Sequence, residues 1–568
     1  MHIDIIPNRT SPPAVLLRRS YREDGKVKKD TLANLSELPM EQVLDIRRIL
    51  KGERLVPPES VFEVTRSVHH GHVEAVLTTM ERLGLEKLLA ARPSPERSLA
   101  LALIAVRVLA PQSKLATTRW WHTTSLPQTL GVAEATEADL YRAMDWLLEH
   151  QDTIEAKLAK RHLKNDGMAL YDLSSSYFEG KHCPLAARGH NRDGKVGKLQ
   201  VNYGLLTDGE GRPVAVSVLR GNTADAPTFL PQVELVRERF GIERIVIAGD
   251  RGMLTSTQIR ELKKLEGIDW IGALRPEGIQ KLVSAGKIQM ELFDERNLFE
   301  VTHPDFPDER LIVCRNPDLA KMRAHKRQDL LAATCAELQK LQAMANARKI
   351  KGKDKIGLRI GRVINKYKVA KHVTLDIRDD AFDFAVNEVS VREEARLDGL
   401  YVVRTSVPAK RLTTEDAVRG YKNLAKVERA FRSMKTLDLN VRPIHHHLED
   451  RVRAHIFLCM LAYYVQWHMA EAWRPLLFSD EDQAAKATRD PVAPAQRSKA
   501  AKKKIARRTT EDGAPIHSFR TLLDSLSTLV RNTCRRQGAP EAEASFEMNT
   551  LPTLDQRKAL ELLRGIHV

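Results

Sequence analysis

With 568 residues the chain exceeds what one hydrophobic core supports, so about three or four folded modules are expected. Lysine and arginine number 91 against 74 acidic residues, a formal charge of +17. That excess favours a polyanion such as nucleic acid over an acidic small substrate, the plainer alternative being a basic surface that only confers solubility. Five scattered cysteines with no C-x-x-C pair suggest neither a disulfide framework nor a zinc ribbon. No apolar run approaches the ~18 residues of a membrane span, and the start lacks a signal-like core, so a soluble cytoplasmic protein with no membrane partner is expected.

In chain order, LLRRSYREDGKVKKDTLANL reads as two short extended segments around an Asp-Gly turn, followed by the amphipathic helix MEQVLDIRRILKG. Residues 1–155 as a whole are expected to form a mainly helical DNA-binding region. Its basic-aromatic stretch around Trp120 and Trp121 suits a DNA backbone, although buried core tryptophans are at least as common an outcome.

The pattern changes near residue 168. MALYDLSSSYF, KLQVNYGLLTD and RPVAVSVLRG read as three strands of an antiparallel meander. A helix then begins near Pro227, ERIVIAGD is a short buried strand, STQIRELKKLEG a helix and IDWIGAL another strand. This mixed-direction order is that of the ribonuclease H type of fold. The predicted class is therefore α/β: a ribonuclease H-like mixed-sheet catalytic core (160–275 and 397–475) interrupted by an α+β insertion domain (276–396). The insertion holds a strand at RLIVCR, a charged helical run from Pro317 to about Lys351, and strands HVTLDI and DFAVNEV. LDGLYVVRTS resumes the core, and TTEDAVRGYKNLAKVERAFRSMK is strongly helical, opening at Thr413 with Asp416 at capping-box spacing and with Gly420 as a possible interruption. After the apolar helix RAHIFLCMLAYYVQWHMAEAW, residues 476–515 read as a solvated basic linker and 516–568 as a helical tail.

Three carboxylates stand out. Asp172 lies on a strand whose next same-face residues are the small Ser174 and Ser176, and Asp250 closes the buried strand IVIAGD before a glycine-containing loop, where α/β proteins place catalytic groups. Either aspartate alone is more often a turn or helix cap. Glu428 shares one helical stripe with Tyr421 and Lys435, seven residues away on either side, so a carboxylate is flanked by a phenol and an ammonium; a charged solvated surface is the ordinary alternative. Three oxygen donors from separate segments suit two hard divalent cations, which leave coordination sites for phosphate oxygens.

YDLSSSYFEG, AGDRGM and YKNLAKVERAFRSMK, in this order, resemble the catalytic blocks of DDE transposases of bacterial insertion sequences, of the group with a large insertion between the second aspartate and the glutamate. The likeness extends to LRRSYREDGKVKKDTLANLSELP near the start and DPVAPAQRSKAAKKK near the end. It implies that Asp172, Asp250 and Glu428 form a metal-binding catalytic triad for two Mg2+ ions, with Mn2+ able to substitute. It also implies that Tyr421 and Lys435 position DNA, and that the enzyme cuts transposon ends and joins them to target DNA. Where the family usually has an arginine three residues after the tyrosine, this chain has Leu424, and Arg432, one turn beyond Glu428, is the candidate replacement. Arg251 is a further candidate backbone contact. The resemblance implies terminal inverted repeats and target DNA as partners, repeat binding through the N-terminal region, and a homodimer in a synaptic complex. Relatives often cut through a DNA hairpin with a stacking aromatic, and no tryptophan lies between 276 and 396.

His445, His446 and His447 read as a polar loop rather than a zinc site, because consecutive side chains diverge. Asp225 reads as a cap for the following helix, with support of the active site as the alternative. Two other functions stay open on the residues alone: a DNA-binding protein descended from such an enzyme but inactive, and a structure-selective nuclease with the same core.

Overall fold

The strongest alternating segment of the sequence becomes strand β1 (Gly167–Tyr177) in a computed structural model that describes all residues except 10, 54, 56–60, 289–292, 294–296, 483–488, 494–495 and 538–544. β1 pairs antiparallel with β2 (Gln200–Asp208), and β2 antiparallel with β3 (Pro213–Arg220). On its other side β1 runs parallel to β4 (Ile245–Gly249), which runs parallel to β5 (Ile268–Ala273). β4, a continuous apolar run, is buried along its whole length, as a strand in a sheet covered on both faces must be; β2 is equally buried, its polar Gln200, Asn202, Thr207 and Asp208 being hydrogen-bonded.

The sheet continues beyond β5. With β6 (Leu298–Val301), β7 (Arg310–Arg315) and β8 (Leu400–Thr405) it has eight strands in the order β6-β7-β8-β5-β4-β1-β2-β3, and these three additions are all antiparallel. Here the reading of an insertion spanning 276–396 is corrected at its edge. RLIVCR belongs to the main sheet, because its partner is the distant β8, and pairing partners so far apart leave no trace in local periodicity. A buried ion pair seals this junction: Arg404 on β8 donates from Nε and Nη2 to the two carboxylate oxygens of Glu309, both at 2.7 Å.

What remains of the insertion has its own core. The helix Pro317–Asn346 packs on the helix Lys353–Tyr367 and on the two-stranded sheet Val373–Ile377 with Phe382–Val386, around Leu338, Ile356, Ile360 and Phe382. The helical run expected to reach Lys351 ends at Asn346, and a second helix follows, whose apolar period Ile356–Ile360–Val363–Ile364 faces the insertion's core.

By compactness the described chain divides into a unit of residues 1–68 with 530–551 and a unit of 69–529 with 552–568. In the first, Ala14–Glu23 and Lys26–Asn34 are the two extended segments expected around the Asp-Gly turn, with Asp24 and Gly25 both at positive φ; His2–Ile6 completes a three-stranded sheet, Met40–Leu50 is the expected helix, and strand Phe62–His69, outside the helical expectation for this region, follows. Val530–Arg536, expected as the end of a helix, is also a strand: β-branched Val530 and Thr533 follow the helix stop at Ser527, and Phe546–Asn549 supplies the partner.

In the second unit, helices Pro95–Leu109, Glu137–Glu149 and Glu449–Ala472 pack together, the last buried along most of its length. Trp121 is fully buried and Trp120 partly so, so Trp121 is a core residue. The segment read as a solvated linker holds the helix Lys499–Arg507, capped by Ser498, with Lys504 bonded to Glu481 at 2.5 Å; alanine and lysine propensity plus the cap suffice for it. Residues 483–488 and 494–495 of that segment lie outside the described residues. Among the described residues no single helix is long and apolar enough to cross a membrane.

Candidate active site

Parallel pairing aligns Tyr171 of β1 with Gly249 of β4, so the next residue of each strand, Asp172 and Asp250, emerges at neighbouring positions. Tyr171 is held on the other side by β2: a Cβ at Gly204 would lie 2.1 Å from the Tyr171 hydroxyl, so only glycine admits the ring. The third carboxylate comes from a helix pair. Thr413 caps α1 (Thr414–Lys422) through the Asp416 N–H, and α2 (Leu424–Arg432) follows after a break at Asn423. The break falls three residues beyond Gly420, whose role is close packing: a Cβ there would meet Met168 at 2.7 Å and Ile271 at 2.9 Å. α2 buries Leu424, Val427, Ala430 and Phe431 and lies over β1, with Phe431 edge-on to Tyr203 at 5.6 Å between ring centroids. That apolar face leaves Glu428 on the exposed side.

Asp172, Asp250 and Glu428 line one cavity of about 850 Å³, along with Tyr421, Lys435, Arg432 and Arg251. Burial, reinforced by the charges of Asp250 and Glu428, pushes the Asp172 carboxyl up to about 7, against the Leu173 N–H and the Arg192 guanidinium. Two further carboxylates therefore act unfavourably on a half-buried acid, an effect that a bound cation relieves. The donors are oxygens only, which fits hard divalent ions; among the described residues no three His, Cys, Asp or Glu side chains are close enough to enclose a single ion, so solvent and substrate oxygens must complete any coordination.

The companion residues are less free than their spacing suggests. The Tyr421 hydroxyl donates to Asp250 Oδ1 at 3.3 Å, and burial followed by the Asp250 charge raises its pKa. Lys435 is buried and bonded to Asp193 Oδ1 at 3.0 Å, an oxygen that also pairs with Arg442. Burial lowers the Lys435 pKa while Asp193 opposes that shift. Leu424 is buried in the cavity wall, and Arg251 and Arg432 are exposed at the cavity.

Two participants, Arg192 and Asp193, have no weight in the sequence, and a third, Asp225, takes the alternative position beside the cavity. Arg192 and Asp193 sit in the turn NRDG between β1 and β2, where Arg192 reaches the cavity and Asp193 anchors Lys435. Asp225 makes no side-chain cap to the following helix, correcting that expectation; its carbonyl accepts the Thr228 hydroxyl at 2.6 Å while its carboxylate pairs with Arg192 in the cavity wall. His446 packs against Tyr141 and His455, and among the described residues no histidine cluster suited to a metal occurs.

With this geometry in place, the comparisons define the class. A family model described as the transposase DDE domain matches residues 175–465, just over half of the chain, and the protein belongs to that family of DNA transposases. The matched stretch contains Asp250 and Glu428 and starts three residues after Asp172. A second model, the N-terminal domain of IS1634 family transposases, matches residues 3–57, which makes this a DDE transposase of an insertion sequence. DDE transposases generally use divalent metal ions. No curated protein matches the sequence. Among solved structures, a cryo-EM structure of a piggyBac transposase synaptic complex with hairpin DNA is similar at 8% identity and a TM-score of 0.35, over 80% of this chain and 76% of that chain; a likeness of that size carries no conclusion here.

Proposed function

We propose that this transposase cleaves the ends of its element and joins them to target DNA by two-metal-ion phosphodiester chemistry, with Asp172, Asp250 and Glu428 holding the ions. The observation that carries the reading is the single cavity lined by these three carboxylates, drawn from β1, β4 and α2. The sheet order β3-β2-β1-β4-β5, with its two antiparallel and two parallel pairings, supports a ribonuclease H-like core. Two divalent ions bound there would supply the charge that activates water or a 3′-hydroxyl and stabilises the leaving oxygen in line. Mg2+ is the ion the all-oxygen donor set suits best, and Mn2+ substitutes on the same chemistry.

Asp172 must be ionised to hold a cation, and the charge of that cation reverses the effect of Asp250 and Glu428 on it. Tyr421, bonded to Asp250, fixes the orientation of that carboxylate. Arg251 and Arg432, exposed at the cavity, carry the DNA backbone on either side. Lys435 acts through its tie to Asp193, which braces the β1–β2 connection. Terminal repeats are read by the N-terminal region, and two copies of the chain join two ends in a synaptic dimer.

Glu428→Gln should abolish cleavage of a duplex carrying the terminal repeat while leaving DNA affinity within a few-fold of the parent, measured in a gel-based cleavage assay beside fluorescence anisotropy. Retained cleavage removes Glu428 from the site and with it the two-metal reading. Joining of a pre-cut end with a free 3′-hydroxyl separates a transposase from a nuclease that shares the core.

A further inference from the structure

Six cationic side chains line the carboxylate cavity: Arg192, Arg251, Arg323, Lys422, Arg432 and Lys435. Three are already engaged. Lys435 is locked on Asp193, Lys422 donates to the Val492 carbonyl and Arg323 to the Leu397 carbonyl, both at 3.5 Å. Arg251 and Arg432 are exposed and spend their full side-chain entropy to reach inward. Arg192 differs in kind: it is less exposed than Arg251, Arg323 and Arg432, and it is held by a carboxylate through one guanidinium nitrogen, the remaining guanidinium donors making no protein hydrogen bond among the described residues.

Its backbone is pinned to the strand that carries Asp172. The Arg192 N–H donates to Ser175 Oγ at 3.3 Å, and the next residue, Asp193, accepts from the Tyr177 N–H at 3.0 Å and from Lys435 and Arg442. Asn191 closes the turn by accepting the Asp193 N–H at 2.7 Å. The Asp193 carboxylate is only 2% exposed, so the connection is a strut and not a loose loop at this point. From it the Arg192 side chain, 20% exposed, enters the cavity and gives one guanidinium nitrogen, Nη2, to Asp225 Oδ1. The other carboxylate oxygen of Asp225 faces the turn after β4: a Cβ built on Gly252 would lie 3.6 Å from Asp225 Oδ2 and 3.9 Å from Asp250 Oδ2. Arg192 is thus paired with a carboxylate that borders the same turn as Asp250, and Arg192 also acts electrostatically on Asp172.

We infer that Arg192 is the residue that contacts the scissile phosphate of the DNA, with Asp225 as the positioning residue that aims its guanidinium into the carboxylate cavity. A planar fork with one arm anchored keeps the geometry needed for a paired contact with phosphate oxygens, which a flexible lysine lacks. Anchoring by Asp225 also prevents Arg192 from neutralising Asp172 by direct pairing, which would compete with cation binding there. This rests on the two-metal reading of the same cavity.

The experiment compares Arg192→Ala, Arg192→Lys and Asp225→Asn in the full-length protein. It uses a duplex ending in the inverted repeat that flanks the coding region, with folding checked by thermal melting. Binding is followed by anisotropy against salt in Ca2+, and single-turnover cleavage in Mg2+. Arg192→Ala should lower the slope of log affinity against log salt by about 0.9, one phosphate's worth, and slow cleavage roughly 100-fold or more at saturating DNA, with an unchanged melting temperature. Arg192→Lys should restore the slope but not the rate, because the charge returns without the fork. Asp225→Asn should keep the slope and lose rate, since aim and not charge is removed. A wild-type slope and a rate within two-fold of the parent for Arg192→Ala overturn the inference. If Asp172→Asn and Glu428→Gln also cleave, the underlying two-metal reading has failed; if they are dead while Arg192→Ala is active, only the role of Arg192 has.

Discussion

At the scale of single residues, the chemistry of the cavity is a contest between burial and charge at Asp172. Its carboxyl binds a proton up to about pH 7 in the folded protein but only to about 3.8 in the unfolded chain. Between those values the folded state holds the extra proton, so this group's contribution to stability falls as pH rises through that window and is smallest above pH 7. Asp172→Asn should therefore raise the melting temperature of the metal-free protein at pH 8, by an amount corresponding to about 1–3 kcal/mol, and the gain should vanish near pH 4. Added Mg2+ should stabilise the parent more at pH 8 than at pH 6 and the variant little at either; calorimetry with and without chelator checks both, and equal Mg2+ stabilisation of parent and variant argues against Asp172 as a ligand.

At the scale of elements, the site depends on how closely strands and helices approach. Gly204 lets β2 accept the Tyr171 ring from β1, one residue before Asp172. Gly204→Val should cost about 1–3 kcal/mol or more in urea unfolding and depress cleavage beyond the loss of folded protein, because the displaced ring moves the strand that carries the first carboxylate. The junction of β7 and β8 makes a separate prediction. Removing the buried Glu309 leaves Arg404 uncompensated, so Glu309→Ala should destabilise by about 3–5 kcal/mol, whereas replacing both partners by apolar residues should recover much of the loss.

At the scale of the whole molecule, the inserted segment carries its own core and returns to where it left: the Asn316 N–H donates to the Gly399 carbonyl at 2.9 Å. Replacing 317–396 with a short Gly/Ser linker should leave the eight-stranded sheet folded, read by circular dichroism and a cooperative melt. It should reduce cleavage, because Arg323 of the cavity wall is lost. Loss of all cooperative unfolding would show that the insertion is integral to the core. The +17 charge belongs to this scale too, since it draws DNA to the surface without selecting the site of cutting.

The sequence by itself determined the five strands from Gly167 to Ala273, because an alternating or continuously apolar run between turn residues leaves the chain few other ways to satisfy its backbone. It also marked Asp172, Asp250 and Glu428, each by a local pattern together with the family resemblance. It did not reveal that RLIVCR and Val530–Arg536 would pair far from their neighbours in the chain, nor that Asp193 would take Lys435 and Asp225 would take Arg192. Strand partners and buried counter-ions are chosen by distance in space, and segments 242 residues apart, such as Asp193 and Lys435, share no periodicity. Tertiary structure alone decided which of the many charges would meet.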